Sequence, residues 1–287
     1  MERCSLYNYA DDNSLASAAP TVDEVIMNLK HDCAISLHWF KQNGMEANPN
    51  KFQFLISSPC ATDNIVLKID ENITITPDPF VKVLGICIDS RLTFTDHVSS
   101  SCTKAARQLN ALSRISKYLD LKCKKMIFKS FILSNFTYCP LVWHFCGKQN
   151  NGKVEKIQER ALRILHDDYI SDYCDLLDKS GATTMLQSRF NCIVLEVFKS
   201  VRNMNPMCIQ NMFKIKTPSY SLRDASKLQQ PKRISTTFGL RSFTYFGSQL
   251  WNNLPIAFKE SDDIVAFKDQ LRHWGGPNLD GVINFYV

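Results

Sequence analysis

No stretch of the 287 residues approaches the roughly 18 consecutive apolar residues of a membrane span, and Met1-Glu2-Arg3-Cys4 lacks the charged-then-apolar layout of a secretory signal. The expectation is a soluble protein, cytoplasmic or nuclear, with no membrane partner. No Cys-x-x-Cys pair occurs among the eleven cysteines, and their number is odd. That argues against a disulfide frame or an ordinary zinc module and for reduced thiols. A Gly-rich phosphate loop, a Gly-x-Ser-x-Gly nucleophile and an internal repeat are all missing as well. What is present is enough apolar material for a real core: 45% apolar, 11% aromatic and 22% charged residues, in one large domain or two small ones.

Charge is divided along the chain. Residues 1–100 carry 7 basic against 13 acidic side chains, and residues 101–287 carry 27 against 15. A basic stretch attracts polyanions by releasing their counterions, whereas an acidic stretch repels them unless divalent cations intervene. An acidic metal site beside a basic nucleic-acid track accounts for both halves; solvation of helix faces is the plainer alternative.

The pattern predicts an α+β fold, with three regions. In residues 1–93, Leu6–Ala16 reads as two short strands about an Asp-Asp-Asn turn, and Val22–Phe40 as an amphipathic helix capped by Thr21 and ended at Asn43-Gly44. Strand-like runs come next at Phe52–Ser57, Ile65–Ile69, Ile73–Thr76 and Val81–Asp89. Residues 94–213 turn helical, at Asp96–Leu119, Lys122–Ser134, Lys153–His166, Ser171–Lys179 and Thr183–Asn203. Residues 214–287 are basic and polar, without regular structure over much of Lys214–Phe246, and end in a helix near Ile264–Trp274.

Asp-Asp occurs three times, so context must separate the three. Asp262-Asp263 precedes a helix, where carboxylates satisfy free N–H groups, and Asp167-Asp168 succeeds one; both read as structural. Asp11-Asp12 sit at a hairpin tip behind Leu6-Tyr7-Asn8-Tyr9-Ala10. Adjacent carboxylates raise each other's pKa unless a cation is bound, and Mg2+ accepts such oxygens together with substrate phosphates. Polymerase sites use that arrangement, with two metals about 3.5–4 Å apart on the attacking and leaving oxygens. Cys139, Cys146, His144 and His166 do not match standard zinc spacing and read as core or exposed side chains.

Tyr9-Ala10-Asp11-Asp12 with Leu15 resembles the catalytic hairpin of reverse transcriptases, and the residues beyond it resemble the non-LTR retrotransposon enzymes of the jockey and related lineages. Trp39-Phe40, Gly44, Asn48, Asn50 and Lys51 are similar to the family's next palm motif, and Val83-Leu84-Gly85-Ile86-Cys87-Ile88-Asp89 with Leu92 to its primer-gripping hairpin. Tyr138-Cys139, Val142-Trp143, Lys156–Ile164, Arg241-Ser242-Phe243 and Leu250-Trp251-Asn252 with Leu254-Pro255 resemble the regions beyond the palm. The resemblance covers nearly the whole chain, and the ordered series is more specific than the tetrapeptide.

It implies a palm in 1–93, a helical thumb in 94–213 and a C-terminal region in 214–287. It further implies that Asp11 and Asp12 bind catalytic Mg2+ or Mn2+, with Tyr9 and Lys51 near the incoming deoxynucleoside triphosphate. Leu84 and Gly85 would contact the primer end. For Lys51 an exposed turn lysine is the competing reading, and for Leu84-Gly85 an ordinary strand and bulge. The family also places fingers and another palm aspartate upstream of this hairpin, and only eight residues precede Tyr9 here. The expectation is therefore a fragment of an RNA-directed DNA polymerase, inactive by itself.

Lys104, Arg107, Arg114, Lys117, Lys122, Lys124, Lys125 and Lys129 oppose a single acid, Asp120. Spacings of seven and three let Arg107, Arg114 and Lys117 share a helix face, and the resemblance makes Lys104, Arg107, Arg114 and Lys117 contacts for the backbone of an RNA template and DNA primer. Arg223, Lys227, Lys232, Arg233 and Arg241, interleaved with Tyr220, Phe238, Phe243 and Tyr245, offer phosphate contact plus base stacking, or a local core. A non-catalytic nucleic-acid-binding remnant and a plain helical interaction protein are the rival readings.

Overall fold

A computed structural model describes residues 2–57, 65–71, 73–216, 226–232 and 238–277. By its internal packing the chain divides into two compact units, Met1–Thr93 and Phe94–Val287. Together they make an α+β protein: short antiparallel ribbons in the first, helices in the second.

The first unit opens with β1 (Ser5–Tyr9) and β2 (Asp12–Ala16), paired antiparallel with Tyr9 opposite Asp12. Ala10 and Asp11 are left as a two-residue loop, and Ala10 takes φ +52°. That left-handed backbone costs a residue with a Cβ about 1 kcal/mol. The helix α1 (Val22–Gln42) begins where the Thr21 hydroxyl accepts from the Glu24 N–H, with Asp23 and Glu24 at its positive end. Two further ribbons come after it among the described residues: β3 (Leu67–Lys68) with β4 (Thr74–Ile75), and β5 (Phe80–Val83) with β6 (Ile86–Asp89). The apolar side of α1 and these ribbons meet in a core of Leu29, Phe54, Leu67 and Ile69, joined by Cys4 and Leu15 from the first hairpin.

The strand-like run at Phe52–Ser57 forms no ladder. Its backbone pairs instead with Asp78, whose carboxylate accepts the Phe54 N–H at 3.0 Å while its own N–H donates to the Phe54 carbonyl at 2.7 Å. The run at Val81–Asp89 is two strands folded about Leu84–Gly85, because both residues take positive φ, +45° and +88°. Two successive positive φ values match the twist of a tight hairpin.

In the second unit, α2 (Thr95–Ile115) buries Val98, Ala105, Leu109 and Leu112, spaced to share one face. Next is a short chain of helical turns: α3 (Leu121–Ile127), a π-helical stretch at Phe128–Leu133, and α4 (Ser134–Thr137). The wide turn has a local cause, since the Asn135 amide donates to the carbonyls of Phe131 and Ile132 and to Gln108 on α2. After α5 (Pro140–Trp143), α6 (Gly147–His166) lies along α2, tied by Asn150 to Thr95, Lys153 to Ser99 and Arg160 to Asn110. Then come α7 (Tyr173–Ser180), α8 (Met185–Val201), α9 (Met207–Gln210), α10 (Phe243–Asn252), α11 (Ile256–Lys259) and α12 (Ile264–Arg272).

The main core of this unit is built on α8. Phe190, Ile193, Val194, Val197 and Phe198 meet Phe246, Leu250 and Trp251 of α10 and Phe267 and Leu271 of α12, with Phe198 and Phe267 stacked at 4.1 Å. Burial of each such side chain stabilises by roughly 1.5–3 kcal/mol. A Cβ on Gly247 would come within 2.9 Å of Val197, so the close crossing of α10 over α8 requires glycine there. No helix among the described residues is long and apolar enough to cross a membrane.

Candidate nucleotidyl-transfer site and nucleic-acid face

The first hairpin presents its carboxylates outward. Asp11 lies in the two-residue loop and Asp12 opens β2; both are exposed, as is Tyr9, which faces Asp12 across the ladder. All five residues of β1 are exposed, while in β2 Ser14 and Leu15 are partly buried and Leu15 packs on the core beside α1. Among the described residues no group of three or more His, Cys, Asp and Glu side chains converges as a metal cage. The donor set at the tip is two carboxylates in open solvent, which suits a hard cation that keeps waters and takes substrate phosphates, and does not suit a closed protein cage.

Lys51 ends a short 3-10 turn, Pro49–Lys51. The Asn48 side chain accepts from the Asn50 N–H at 3.0 Å and Pro49 supplies the first helical φ, so Asn48 and Pro49 are explained by the turn itself. Lys51 is left exposed at its end. The segment after it is tied to the third ribbon: the Gln53 side-chain oxygen accepts from the Lys82 N–H at 3.0 Å, and Phe54 pairs with Asp78. That ribbon carries Leu84, 41% exposed at its tip, beside Gly85. An apolar β-turn residue in a left-handed conformation is costly twice, in backbone strain and in exposure. Leu84→Asn is therefore expected to stabilise the first unit by up to about 1 kcal/mol in thermal unfolding, because asparagine before glycine suits the turn. A fall in stability would show that Leu84 is held by packing rather than tolerated.

Sequence reasoning passes over Asp32, although it interrupts the apolar side of α1 between Leu29 and Cys33. It is fully buried. Its carboxylate accepts from the N–H groups of Glu2 (3.3 Å), Arg3 (3.1 Å) and Cys4 (2.7 Å) and meets the His31 ring at 3.0 Å. Burial by itself raises its pKa, yet the hydrogen bonds from His31 and these amides outweigh it and hold the group well below the usual carboxylate range. The neighbouring Cys33 thiol is pushed up to about 11, by burial first and then by Cys4 and the Asp32 charge.

On α2, Arg107 and Arg114 stand opposite the buried row Ala105, Leu109 and Leu112, and Lys104 stands beside them; all three are exposed. Lys117 comes next in a 3-10 turn, Ser116–Tyr118, with its ammonium 4.9 Å from the Tyr118 ring centre. Lys122, Lys125 and Lys129 line an open groove of about 660 Å³ with Leu121, Met126 and Ser130. Lys124 departs from the expected basic row. It is buried, and its ammonium bonds Asp167 at 2.7 Å and approaches the Ile164 carbonyl at 3.4 Å, closing the C-terminal end of α6.

Of the second basic and aromatic group, Lys227 and Lys232 are exposed, whereas Phe243 packs edge-on against Phe213. Tyr220, Arg223 and Arg233 lie outside the described residues. Asp168 is structural, bonded by Lys179 and the N–H groups of Ile170 and Ser171. Asp263 caps α12 through the Ala266 N–H, and Asp262 pairs with Arg202 at 2.9 Å.

The later motifs also have structural reasons. Gln158 donates to the Thr183 carbonyl, and Arg163 spans Glu159 and the Ser171 carbonyl. Trp251 donates to the Ser226 carbonyl, and the Asn252 amide brackets Leu228, accepting its N–H at 2.8 Å and donating to its carbonyl at 3.0 Å. Trp143 donates to the Tyr138 carbonyl at 3.0 Å and lies 4.7 Å beneath the buried Arg189 guanidinium. Arg189 also bonds Asn151. His144 beside it is ringed by Phe145, Phe190 and Phe246, and burial, then the Arg189 charge, hold its pKa well below the usual histidine value.

This ordering of a carboxylate hairpin, a helix, a lysine turn and a second hairpin ahead of a helical basic region accompanies similarity to the RNA-directed DNA polymerases of transposons. The chain is 25% identical to the "Probable RNA-directed DNA polymerase from transposon BS" of Drosophila melanogaster over 170 residues, which are 56% of this chain and 18% of that relative. It is 29% identical to the "Probable RNA-directed DNA polymerase from transposon X-element" of the same species over 99 residues, 33% of this chain and 11% of the relative. The matched stretches thus span less than a fifth of the curated relatives' length. These similarities support relation to the reverse transcriptases of non-LTR retrotransposons. No family model and no solved structure matches.

Proposed function

We propose that this polypeptide is part of an RNA-directed DNA polymerase, contributing the carboxylate end of the palm and the helical surface that holds template and primer. The observation that carries the reading is the Asp11–Asp12 hairpin tip, with two adjacent carboxylates in open solvent, one in the strained Ala10-Asp11 loop and one opening β2. The similarity to two transposon polymerases supports it. Asp11 and Asp12 would hold Mg2+ or Mn2+, which supplies charge neutralisation at the attacking 3′ oxygen and the leaving pyrophosphate. The Lys51 ammonium would meet triphosphate oxygens, and the Tyr9 ring would border the nucleotide. Leu84 and Gly85 would bear on the primer end. Lys104, Arg107, Arg114 and Lys117 would neutralise backbone phosphates of the RNA template and DNA primer.

A polypeptide of these 287 residues offers only two carboxylates at the tip, and we infer that it binds template–primer without extending it. Binding to an RNA–DNA duplex, monitored from 50 to 200 mM salt, tests the basic face. Replacing Arg107 and Arg114 together by alanine is expected to make the log–log slope less negative by about 2, close to one unit per lost phosphate contact. An unchanged slope removes the α2 face from the interface. Absence of salt-dependent binding in the unaltered chain favours the plain helical interaction protein instead.

A further inference from the structure

We propose that Asp32 is a positioning residue for the carboxylate hairpin, setting where Asp11 and Asp12 stand by gripping the base of the ribbon through backbone N–H groups. The inference rests on the reading of Asp11 and Asp12 as metal ligands. A two-stranded ribbon is marginally stable in water, and all of β1 and three of the five residues of β2 are exposed, so the ribbon cannot fix its own direction. Its direction is set where its two legs meet α1.

Both legs are held by one face of that helix. Asp32 accepts from Glu2, Arg3 and Cys4, the three residues that lead into β1. Asn28, one turn earlier, reaches the Ser17 hydroxyl just beyond β2 at 3.5 Å. Residues four apart lie on the same side of a helix, so one surface grips both legs. Cys4 and Leu15 pack beside these polar contacts on the core of Leu29 and its neighbours, which supplies contact without direction. The amide-to-carboxylate bonds supply direction, because each requires alignment as well as distance.

Leverage makes the grip consequential. From Cys4 to Ala10 the strand extends about 20 Å at roughly 3.3 Å per residue. A tilt of about 10° at the base then displaces the tip by roughly 3.5 Å, whereas a misplacement near 1 Å already lowers catalytic rates about 100-fold. A buried ionised carboxylate is a costly way to tether the start of a strand unless the tether's geometry matters.

The test uses the 287-residue chain and its Asp32→Asn, Asp32→Ala, Leu29→Ala and Asp11→Asn variants. Amide exchange is measured over residues 2–16, and Mn2+ affinity is read from paramagnetic broadening at the hairpin, below each variant's unfolding midpoint. In the unaltered chain the N–H groups of Glu2, Arg3 and Cys4 are expected to be protected despite lying near the chain end. Asp32→Asn, which keeps the shape and loses the charge, is expected to speed exchange over residues 2–16 at least tenfold and weaken Mn2+ at least fivefold. Leu29→Ala lowers the unfolding midpoint and leaves Mn2+ affinity within twofold, which separates positioning from stability. Free exchange of residues 2–4 in the unaltered chain, or Asp32→Asn with unaltered exchange and Mn2+ affinity, overturns the proposal whether or not Asp32→Ala folds. Mn2+ affinity at the hairpin left within twofold by Asp11→Asn overturns the metal reading of the tip, and the exchange rates alone then decide whether Asp32 sets the ribbon.

Discussion

Asn at position 11 or 12, in a polypeptide that also carries the upstream palm, is expected to lower primer extension by about 1000-fold or more. Each substitution keeps the side chain's size and one acceptor oxygen and removes a negative charge from the proposed metal site. Loss of one carboxylate ligand reduces both metal occupancy and the transition-state charge stabilisation that depends on it, effects that together amount to roughly 4 kcal/mol or more of barrier. Folding is not at issue, because both side chains are exposed; Asp11 uses only its backbone carbonyl locally, as acceptor for the Asn13 amide. Template–primer affinity is therefore expected to stay within about twofold, since the proposal assigns the phosphate contacts to the basic residues of the second unit. Extension by either variant within tenfold of the parent would sink the assignment of the site to this hairpin.

The largest effect on stability is expected from Arg189→Ala. The guanidinium is 2% exposed, lies over Trp143 and bonds Asn151, whose carbonyl oxygen also takes the Cys146 thiol. Truncation to alanine opens a cavity above the indole, removes the cation–π contact and strips Asn151 of its charged donor. These losses sum to about 3–5 kcal/mol, a large share of a domain's stability. Arg189→Met fills most of the same volume with a flexible apolar chain and is expected to cost roughly half as much. Urea unfolding of the three proteins measures both. A cost below about 1 kcal/mol for the alanine variant would mean that α8 is held on α5 and α6 without help from this guanidinium, by its phenylalanines and by the Glu155 carboxylate that accepts from the Met185 and Leu186 N–H groups.

Much of the fold is legible in the sequence because its signals are local. The Asp-Asp turn between two short strands, the Thr21 cap and the spacing of apolar residues through Leu37 each specify a ribbon or a helix with no help from distant residues. The ends of β1, β2, α1 and α2 fall within a few residues of their expected positions for that reason. The stretch at Phe52–Ser57 has the alternation of a strand, and its apolar residues do pack inward, but its backbone partner is a single aspartate rather than a second strand. The helix α10 begins inside the segment Lys214–Phe246, whose serine, threonine and basic content reads as loop, and runs on to Asn252; it is helical because Phe246, Leu250 and Trp251 bury against α8, a tertiary effect that composition does not carry.

Within the candidate site, short motifs reveal the exposed residues and hide the support beneath them. Tyr9, Asp11, Asp12, Lys51, Leu84 and Gly85 all occupy turns or strand ends, where such motifs are readable. Asp32 and Arg189 act through contacts about 28 to 46 positions away in the chain. Their one local trace is a charged residue on an otherwise apolar helix face, a signal worth seeking in α1 and α8 alike.

The burial of Lys124 gives the basic surface a chemical unevenness. An amine-reactive reagent needs access to the nitrogen, and Lys124, buried with its ammonium on Asp167, offers little. Lys122, Lys125 and Lys129, which line the groove, meet solvent. In a labelling footprint the groove lysines therefore carry the information about a bound polyanion, and Lys124 between them serves as an internal reference whose modification reports opening of α3 from α6.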